Sequence, residues 1–258
     1  TLGHEVGDKL LVEVAERLKS YIPREDVVSR HGGDEFLVLC RTSPDHPESM
    51  AEDIVSGLRT TFLIDSWEVR ISASVGIARA SEGGFDTQDT IRNADVAMYV
   101  AKKEGKSQYC FFQEHMLIEH QRKIDIANAI EPGLERGEFY ICYQPKVSSD
   151  GEPRGVEALV RWNSHSLGSV SPSDFVPIAE RSGKISALTD WVVERVCRDV
   201  ADYFQDLPVP ILVSLNLSAY DLKRYQFSDF IRSTFETYAV RPELIEFEVT
   251  EHAYLDNL

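Results

Sequence analysis

The chain has 258 residues, 43% of them hydrophobic, and its 43 Asp and Glu residues outnumber 27 Lys and Arg residues to give a formal net charge of -16. This length supports one large domain or two ordinary domains with real cores, and two is the better expectation. The acidic balance disfavours a nucleic-acid polymer as a partner, because no broad basic face is available to follow its backbone. A phosphate ligand would need local cations or divalent metals.

The four cysteines are far apart and form no CxxC pair, a pattern typical of reduced residues in a cytoplasmic protein. No apolar run approaches the roughly 20 residues that span a bilayer, and no signal peptide is visible. The chain begins at Thr1 without a methionine. We therefore expect it to be a piece of a longer protein, whose upstream parts could tether it to a membrane.

Hydrophobic periodicity predicts an α+β domain in the first part of the chain. Apolar residues recur every four positions from Val6 to Ile22 and predict a helix that stops at Pro23. The predicted elements are, in order, a helix over 6–22, a hairpin around 32–36, a helix over 48–62, a strand over 69–77 and a helix over 87–104.

The hairpin carries the pentapeptide Gly32-Gly33-Asp34-Glu35-Phe36 between two apolar runs. Its glycines can adopt positive φ, so the segment is interpreted as a turn with two carboxylates at its tip. Adjacent acids in this position favour a metal ion, although an ordinary turn with solvated acids fits the pentapeptide equally well.

Alternating helical and strand patterns in the second part predict βα units and a parallel sheet. The two strands that open it are joined by only seven residues, too few for a parallel crossover, so they should be antiparallel. The predicted elements are a helix over 114–135, strands over 139–147 and 155–162, helices over 173–181 and 186–206, a strand over 210–216, a helix over 219–238 and a strand over 244–250.

Three polar residues, Glu157, Asn216 and Glu248, lie within or at the end of predicted strands. The carboxyl ends of parallel strands converge, so these side chains can meet and hold Mg²⁺ or Mn²⁺. Two carboxylates about 4 Å apart repel by about 4 kcal/mol at an effective dielectric of about 20, which favours a bound cation. The alternatives are a Glu157–Arg161 ion pair and an Asn216 side chain bonded to loop backbone. Glu246 shares the strand face of Glu248, and position alone does not choose between them.

The first part of the chain resembles the GGDEF family of diguanylate cyclases. The resemblance rests on the hairpin, on Arg30 before it, and on two flanking segments, residues 3–11 (GHEVGDKLL) and 94–106 (ADVAMYVAKKEGK). It implies condensation of two GTP molecules into cyclic di-GMP at two half-sites that meet in a homodimer.

The GGDEF resemblance also implies residue roles. Asp34 would ligate Mg²⁺, Glu35 would assist the attacking hydroxyl or a second metal, and Gly32 and Gly33 would let the backbone approach the phosphates. The implied nucleotide contacts are Asp8 to guanine and Lys102 and Lys106 to phosphate. Lys106 stands where the family usually has arginine, and both lysines could instead form a solvated helix end.

Two departures weaken the cyclase assignment. The family's first strand, with another metal-binding Asp, would precede Thr1. The family's inhibitory product site keeps Asp26, but Pro23 stands where its arginine belongs, so we expect no product inhibition at this site.

The second part looks like the first half of an EAL-type cyclic di-GMP phosphodiesterase barrel. The matching segments are, in order, Tyr143-Gln144-Pro145, Glu157-Ala158-Leu159, the helix after Pro172, residues 214–218 (SLNLS) and residues 246–251 (EFEVTE). The resemblance implies two-metal hydrolysis of cyclic di-GMP to linear pGpG. It selects Glu157, Asn216 and Glu248 as metal ligands, Glu251 as an acid that steadies a catalytic loop, and Gln144 and Arg161 as substrate contacts.

The predicted fold class is therefore α/β, with an α+β GGDEF domain followed by the first half of an EAL (β/α) barrel with one antiparallel strand. The expected domains are 1–113 and 136–258, with 114–135 either a linker helix or the start of the second domain. Expected partners are GTP, cyclic di-GMP, Mg²⁺ or Mn²⁺ and a second copy of the chain, with phosphodiesterase activity as the main output. A receptor that binds these nucleotides without turnover is the competing hypothesis.

Overall fold

A computed structural model of the protein describes residues 3–41, 46–84, 86–149 and 151–249. The chain folds into two compact units, Thr1–His120 and Gln121–Leu258. Within the described ranges, no helix is both long and apolar enough to cross a bilayer.

In its described residues, the first unit mixes helices with three two-stranded sheets. The β1–β2 and β3–β4 pairs are antiparallel, and the β5–β6 pair is parallel. These labels refer to α1 (His4–Tyr21), β1 (Val27–Gly32), β2 (Glu35–Leu39), α2 (His46–Leu58), β3 (Phe62–Ile64), β4 (Trp67–Val69), β5 (Val75–Ile77), α3 (Thr87–Lys103) and β6 (Tyr109–Phe111).

The core of the first unit forms where α1 and α2 enclose the strands. Val14 and Leu18 of α1 and Ile54 of α2 are buried around Phe62, and one face of the β1–β2 hairpin packs against them. The other face of the hairpin is exposed, as Val27 and Leu39 show. The hairpin tip is therefore presented by two strands that are anchored on one side only.

The single strand predicted over 69–77 is wrong in detail. The structure has two short strands, β4 and β5, because the two ends of the apolar run pair with different strands. β4 pairs with β3, and β5 pairs with β6. The β3–β4 hairpin was not predicted. It turns at Asp65, whose φ of 54° is unusual for a residue other than glycine.

The second unit is built on one mixed sheet with strand order β11-β10-β8-β7. β8, β10 and β11 are parallel, β7 is antiparallel to β8, and β9 is a short strand beside β8. These labels refer to α4 (Glu114–Glu135), which begins in the first unit, and to β7 (Phe139–Val147), β8 (Pro153–Ser164), β9 (Gly168–Val170), α5 (Pro172–Arg181), α6 (Ile185–Asp199), β10 (Leu212–Leu217), α7 (Ala219–Leu222), α8 (Phe227–Tyr238) and β11 (Ile245–Val249).

The antiparallel pairing of the first two strands is confirmed, and so is the predicted fold class. Two helices differ from their predictions. The helix predicted over 186–206 is α6 followed by a π-helical segment, Val200–Phe204, and the helix predicted over 219–238 is divided into α7 and α8. Between α7 and α8 the Arg224 guanidinium donates to the Asp190 carboxylate at 2.7 and 2.9 Å.

Candidate metal and nucleotide sites

Glu157 and Asn216 lie on neighbouring parallel strands and are directly bonded. The amide nitrogen of Asn216 donates a hydrogen bond of 2.7 Å to Oε1 of Glu157. In the register of the sheet Glu157 stands beside Ser214, two residues before Asn216 on the same face of β10. The structure thus joins two of the three predicted metal ligands, and Glu157 is bonded to Asn216 rather than to Arg161.

Glu248 completes this group from the next strand. It stands beside Asn216 in the parallel register of β10 and β11, whereas Glu246 stands beside Ser214. The Ser214 hydroxyl, which is buried, donates to the Glu246 carboxylate at 2.7 Å. Glu248, and not Glu246, is therefore the acid whose register matches Asn216.

A lysine that sequence reasoning did not select lies in the middle of these acids. The ammonium of Lys146, on β7, donates to the Glu248 carboxylate and, at 2.6 Å, to the Ser214 hydroxyl, and it lies 3.7 Å from the Glu246 carboxylate. The hydrogen bond to Glu248 raises the pKa of Lys146 above its usual value against the opposing effect of desolvation, and the charges of Glu248, Glu246 and Glu157 also raise it. The signal was present in the sequence, because strand alternation places Lys146 on the same face as Gln144.

The donor set fits a hard divalent cation. Carboxylate and amide oxygens are the ligands that Mg²⁺ and Mn²⁺ prefer, and the Lys146 ammonium already stands in for a cation at Glu248. Within the described part of the chain, no three His, Cys, Asp or Glu side chains form a metal-holding cluster by themselves. A metal here would depend on the amide of Asn216 and on a change in the position of Lys146.

The remaining predicted residues of the second unit are placed differently. Gln144 is exposed and stands beside Glu157 in the antiparallel register, on the same face as the acids. Arg161 is half-buried on that strand face, and its guanidinium donates to the carbonyl oxygen of Val160 at 2.9 Å. Glu251 lies outside the described residues.

A buried carboxylate fixes the chain immediately after Asn216. The Asp221 side chain is fully buried and accepts hydrogen bonds from the Thr189 hydroxyl at 2.9 Å, the Ser218 hydroxyl at 2.6 Å and the Ser218 backbone N–H at 3.1 Å. Ser218 in turn caps α7 by accepting from the backbone N–H of Asp221. This reciprocal cap sets where β10 ends and so positions Asn216.

The glycine hairpin of the first unit has a fixed turn and an open tip. Gly33 has a φ of 51°, and its carbonyl oxygen accepts two hydrogen bonds, of 3.0 and 2.7 Å, from the Arg30 guanidinium. Asp34 and Glu35 are exposed. The arginine thus holds the turn, while the two carboxylates face solvent.

The predicted nucleotide contacts of the first unit are not joined to the hairpin. Asp8, Lys102 and Lys106 are exposed, and no hydrogen bond or ion pair between described side chains connects them with Asp34 or Glu35. A cavity of about 320 Å³ lies elsewhere in this unit, where α2 meets β6, with Glu52, Arg59 and Tyr109 in its lining.

Asp26, the residue of the predicted product site that this chain keeps, is bonded within its own unit. Oδ1 of Asp26 accepts the backbone N–H of Arg41 at 2.9 Å and so ties the start of β1 to the end of β2. The absence of product inhibition at this position stays a prediction.

Two family models match the chain. The model for "Diguanylate cyclase, GGDEF domain" covers residues 1–108, and the model for "EAL domain" covers residues 127–258. The matches follow each other in the order that the two resemblances imply.

Curated relatives match nearly the whole chain. The bifunctional diguanylate cyclase/cyclic di-GMP phosphodiesterase MucR of Pseudomonas aeruginosa is 36% identical over 96% of the chain and 37% of its own length. The cyclic di-GMP phosphodiesterase PdeR of Escherichia coli is 38% identical over 99% of the chain and 39% of its own length. The chain therefore spans less than two-fifths of either relative.

Among solved structures, one described as "PaMucR Phosphodiesterase, c-di-GMP complex" superposes with a TM-score of 0.49 at 29% identity. It covers 52% of this chain and 54% of its own chain.

Proposed function

Because the chain belongs to the EAL domain family and carries a GGDEF domain ahead of its EAL domain, we propose that the whole protein turns over cyclic di-GMP, with the EAL domain as its hydrolase. The observation that carries this proposal is the juxtaposition of Glu157, Asn216 and Glu248 on three adjacent parallel strands. The reaction opens one phosphodiester bond of the ring: water adds to phosphorus, one P–O bond breaks, and linear pGpG results.

The roles of the residues follow from their chemistry. Glu157, Asn216 and Glu248 would hold Mg²⁺ or Mn²⁺, which when bound supplies Lewis-acid activation of water and of a phosphate oxygen. Gln144 shares the face of these ligands and would orient the nucleotide by hydrogen bonds. Arg161 would contribute a cation to the substrate phosphates after leaving the carbonyl of Val160.

The EAL proposal is tested by chromatography of cyclic di-GMP incubated with the full-length protein and Mg²⁺. We expect the linear product from the wild type and a loss of at least about 100-fold in rate for Glu157→Gln, because a direct metal ligand should matter at least as much as an outer-shell partner. Glu152→Gln, which removes an exposed carboxylate from the β7–β8 connection, is the matched control and should keep the wild-type rate. Equal rates for the two variants would contradict the proposed site.

For the GGDEF domain we propose GTP binding and condensation of two GTP molecules by a homodimer. The observation that favours it is the intact hairpin, in which Arg30 fixes the turn and leaves Asp34 and Glu35 accessible. Each 3'-hydroxyl would attack the α-phosphate of the other nucleotide and release pyrophosphate. Asp34 would bind the metal, and Glu35 would assist the hydroxyl.

The cyclase proposal is tested with full-length protein, GTP and Mg²⁺ or Mn²⁺, on the Glu157→Gln background so that product is not consumed. We expect cyclic di-GMP from this background and none after a further Glu35→Gln change, with Glu25→Gln as the exposed control. If GTP is converted with neither metal, the cyclase proposal is contradicted, and nucleotide binding is the most that the GGDEF domain can do.

A further inference from the structure

The Lys146 side chain contacts a residue on the strand at the opposite edge of the sheet. β7 and β11 are the outer strands of the order β11-β10-β8-β7, so in a flat sheet they would be roughly 14 Å apart. The register also sets Lys146 level with Leu212 but Glu248 level with Asn216, four residues or roughly 13 Å further along the strands. In a flat sheet this separation is beyond the combined reach of a lysine and a glutamate side chain. Lys146 on β7 nevertheless contacts Glu248 on β11. The sheet must therefore curve around this face and bring the acids and the lysine into one concave site.

A glycine on β8 leaves room for the Lys146 side chain to cross the face of the sheet. Gly155 is the register partner of Lys146 on β8 and offers no side chain to block it. A Cβ at Gly155 would lie 2.7 Å from the carbonyl oxygen of Leu212, so the strands approach too closely for any other residue. The glycine thus permits both the close strand pairing and the crossing of the ammonium.

The lysine and a divalent metal compete for this site. The ammonium is bonded to Glu248, a proposed ligand, and lies close to Glu246, so a metal bound at Glu248 would lose a ligand oxygen and face a like charge. Of the three glutamates on this face, two are in direct contact with the lysine and the third, Glu157, is bonded to Asn216.

We propose that Lys146 is a built-in cation that balances the acids in the metal-free protein and is displaced when metal binds, so that it sets the metal affinity of the EAL site. This inference rests on the proposed metal site of the hydrolase. Lys146 is a positioning residue in this account, because it acts through Glu248 and Ser214 rather than on the substrate.

The test is calorimetric titration of the protein with Mn²⁺ alone, without nucleotide. Lys146→Met should bind Mn²⁺ about tenfold more tightly than the wild type, the gain expected when two half-exposed ion pairs no longer compete. Lys146→Arg retains the cation and should not tighten binding. Lys184→Met is the matched control, since Lys184 pairs with Glu131, at 3.2 Å, away from the acids of this face.

A second measurement separates this role from a purely structural one. Without metal, Lys146→Met should have a lower thermal midpoint than the wild type, and saturating Mn²⁺ should raise its midpoint by more than it raises that of the wild type. A structural role alone would lower the midpoint without tightening Mn²⁺ binding.

The outcomes are distinguishable. Wild-type binding that is lost in Glu157→Gln, together with equal or weaker binding by folded Lys146→Met, would overturn the inference and leave the metal site intact. Absence of Mn²⁺ binding in every variant, or binding unaffected by Glu157→Gln, would overturn the metal site and the inference with it.

Discussion

Asn216 and Glu157 are joined across two parallel strands by a hydrogen bond of 2.7 Å between the amide nitrogen and the carboxylate. A bond of this kind restricts both side chains before any ligand arrives, and Glu248 stands beside Asn216 on the next strand. The pairing is therefore a preorganised part of the proposed metal site.

The first prediction concerns Asn216. Replacing it with Ala removes an oxygen ligand and releases Glu157, so we expect Mn²⁺ affinity to fall by at least about tenfold. Calorimetric titration measures this change. Asn163→Ala, at an exposed position near the carboxyl-terminal end of β8, is the control and should bind Mn²⁺ like the wild type. Equal affinities for the two variants would show that Asn216 is no ligand.

The second prediction concerns the support of that residue. Asp221→Ala removes a fully buried carboxylate and leaves the Thr189 hydroxyl, the Ser218 hydroxyl and the Ser218 backbone N–H without their common acceptor. We expect a loss of about 3 kcal/mol in the free energy of unfolding, typical of a broken buried polar network. Chemical denaturation measures it. Asp229→Ala, an exposed residue whose nearest partner is Arg232 at 3.6 Å, should cost less than about 1 kcal/mol.

The third prediction is a pH dependence centred on Glu138. Burial acts to raise the pKa of this carboxyl, but hydrogen bonds from Arg136 at 2.8 Å, the Trp162 indole at 3.0 Å and His165 at 2.8 Å outweigh burial and lower the pKa to about 2. A pKa below the ordinary value of 4.5 means that the ionised form stabilises the fold. This contribution is complete above about pH 4.5 and is lost as the pH falls towards about 2.

Thermal midpoints of Glu138→Gln should therefore be lower than those of the wild type near neutral pH and should approach them as the pH falls through this interval. Glu135→Gln, which changes an exposed glutamate three residues earlier, should follow the wild-type profile. A gap between Glu138→Gln and wild type that stays constant from pH 6 to pH 3 would contradict the role of this carboxylate.

The fourth prediction tests the packing of α3 on β5. A Cβ at Gly76 would overlap the backbone of Ala94 and Met98, so Gly76→Ala should destabilise the first unit by about 2 kcal/mol. Gly7→Ala is the opposite case, because nothing lies within 4 Å of a Cβ at this position in α1. It should stabilise the unit by about 0.5 to 1 kcal/mol, since alanine favours a helix more than glycine does. Urea denaturation of both variants measures the contrast.

Sequence patterns predicted the secondary structure correctly wherever local periodicity determines it. The helix at 114–135 and the antiparallel β7–β8 pair follow from apolar spacing and from the length of a connection. The β3–β4 hairpin was missed because its turn uses Asp65 at positive φ in place of glycine. The break between α7 and α8 was also missed; the Arg224 side chain in this segment contacts Asp190 across 34 residues, and local periodicity gives no sign of such a contact.

The candidate sites show the same contrast between what local sequence patterns predict and what depends on long-range contacts. The convergence of parallel strand ends was enough to predict that Glu157, Asn216 and Glu248 can meet, and register then favoured Glu248 over Glu246. The position of Lys146 could not be predicted in full, because its contact with Glu248 depends on the curvature of the sheet. The roles of the hairpin residues Asp34 and Glu35 stay predictions, since the described residues include no partner for either carboxylate.

Product analysis with cyclic di-GMP tests the central claim most directly. Full-length protein is incubated with radiolabelled cyclic di-GMP and Mg²⁺, and the bound and free nucleotides are separated by chromatography. The hydrolase predicted here converts the label to linear pGpG over many turnovers. Recovery of intact cyclic di-GMP bound to the protein, with no linear product, would contradict the claim and identify the protein as a receptor.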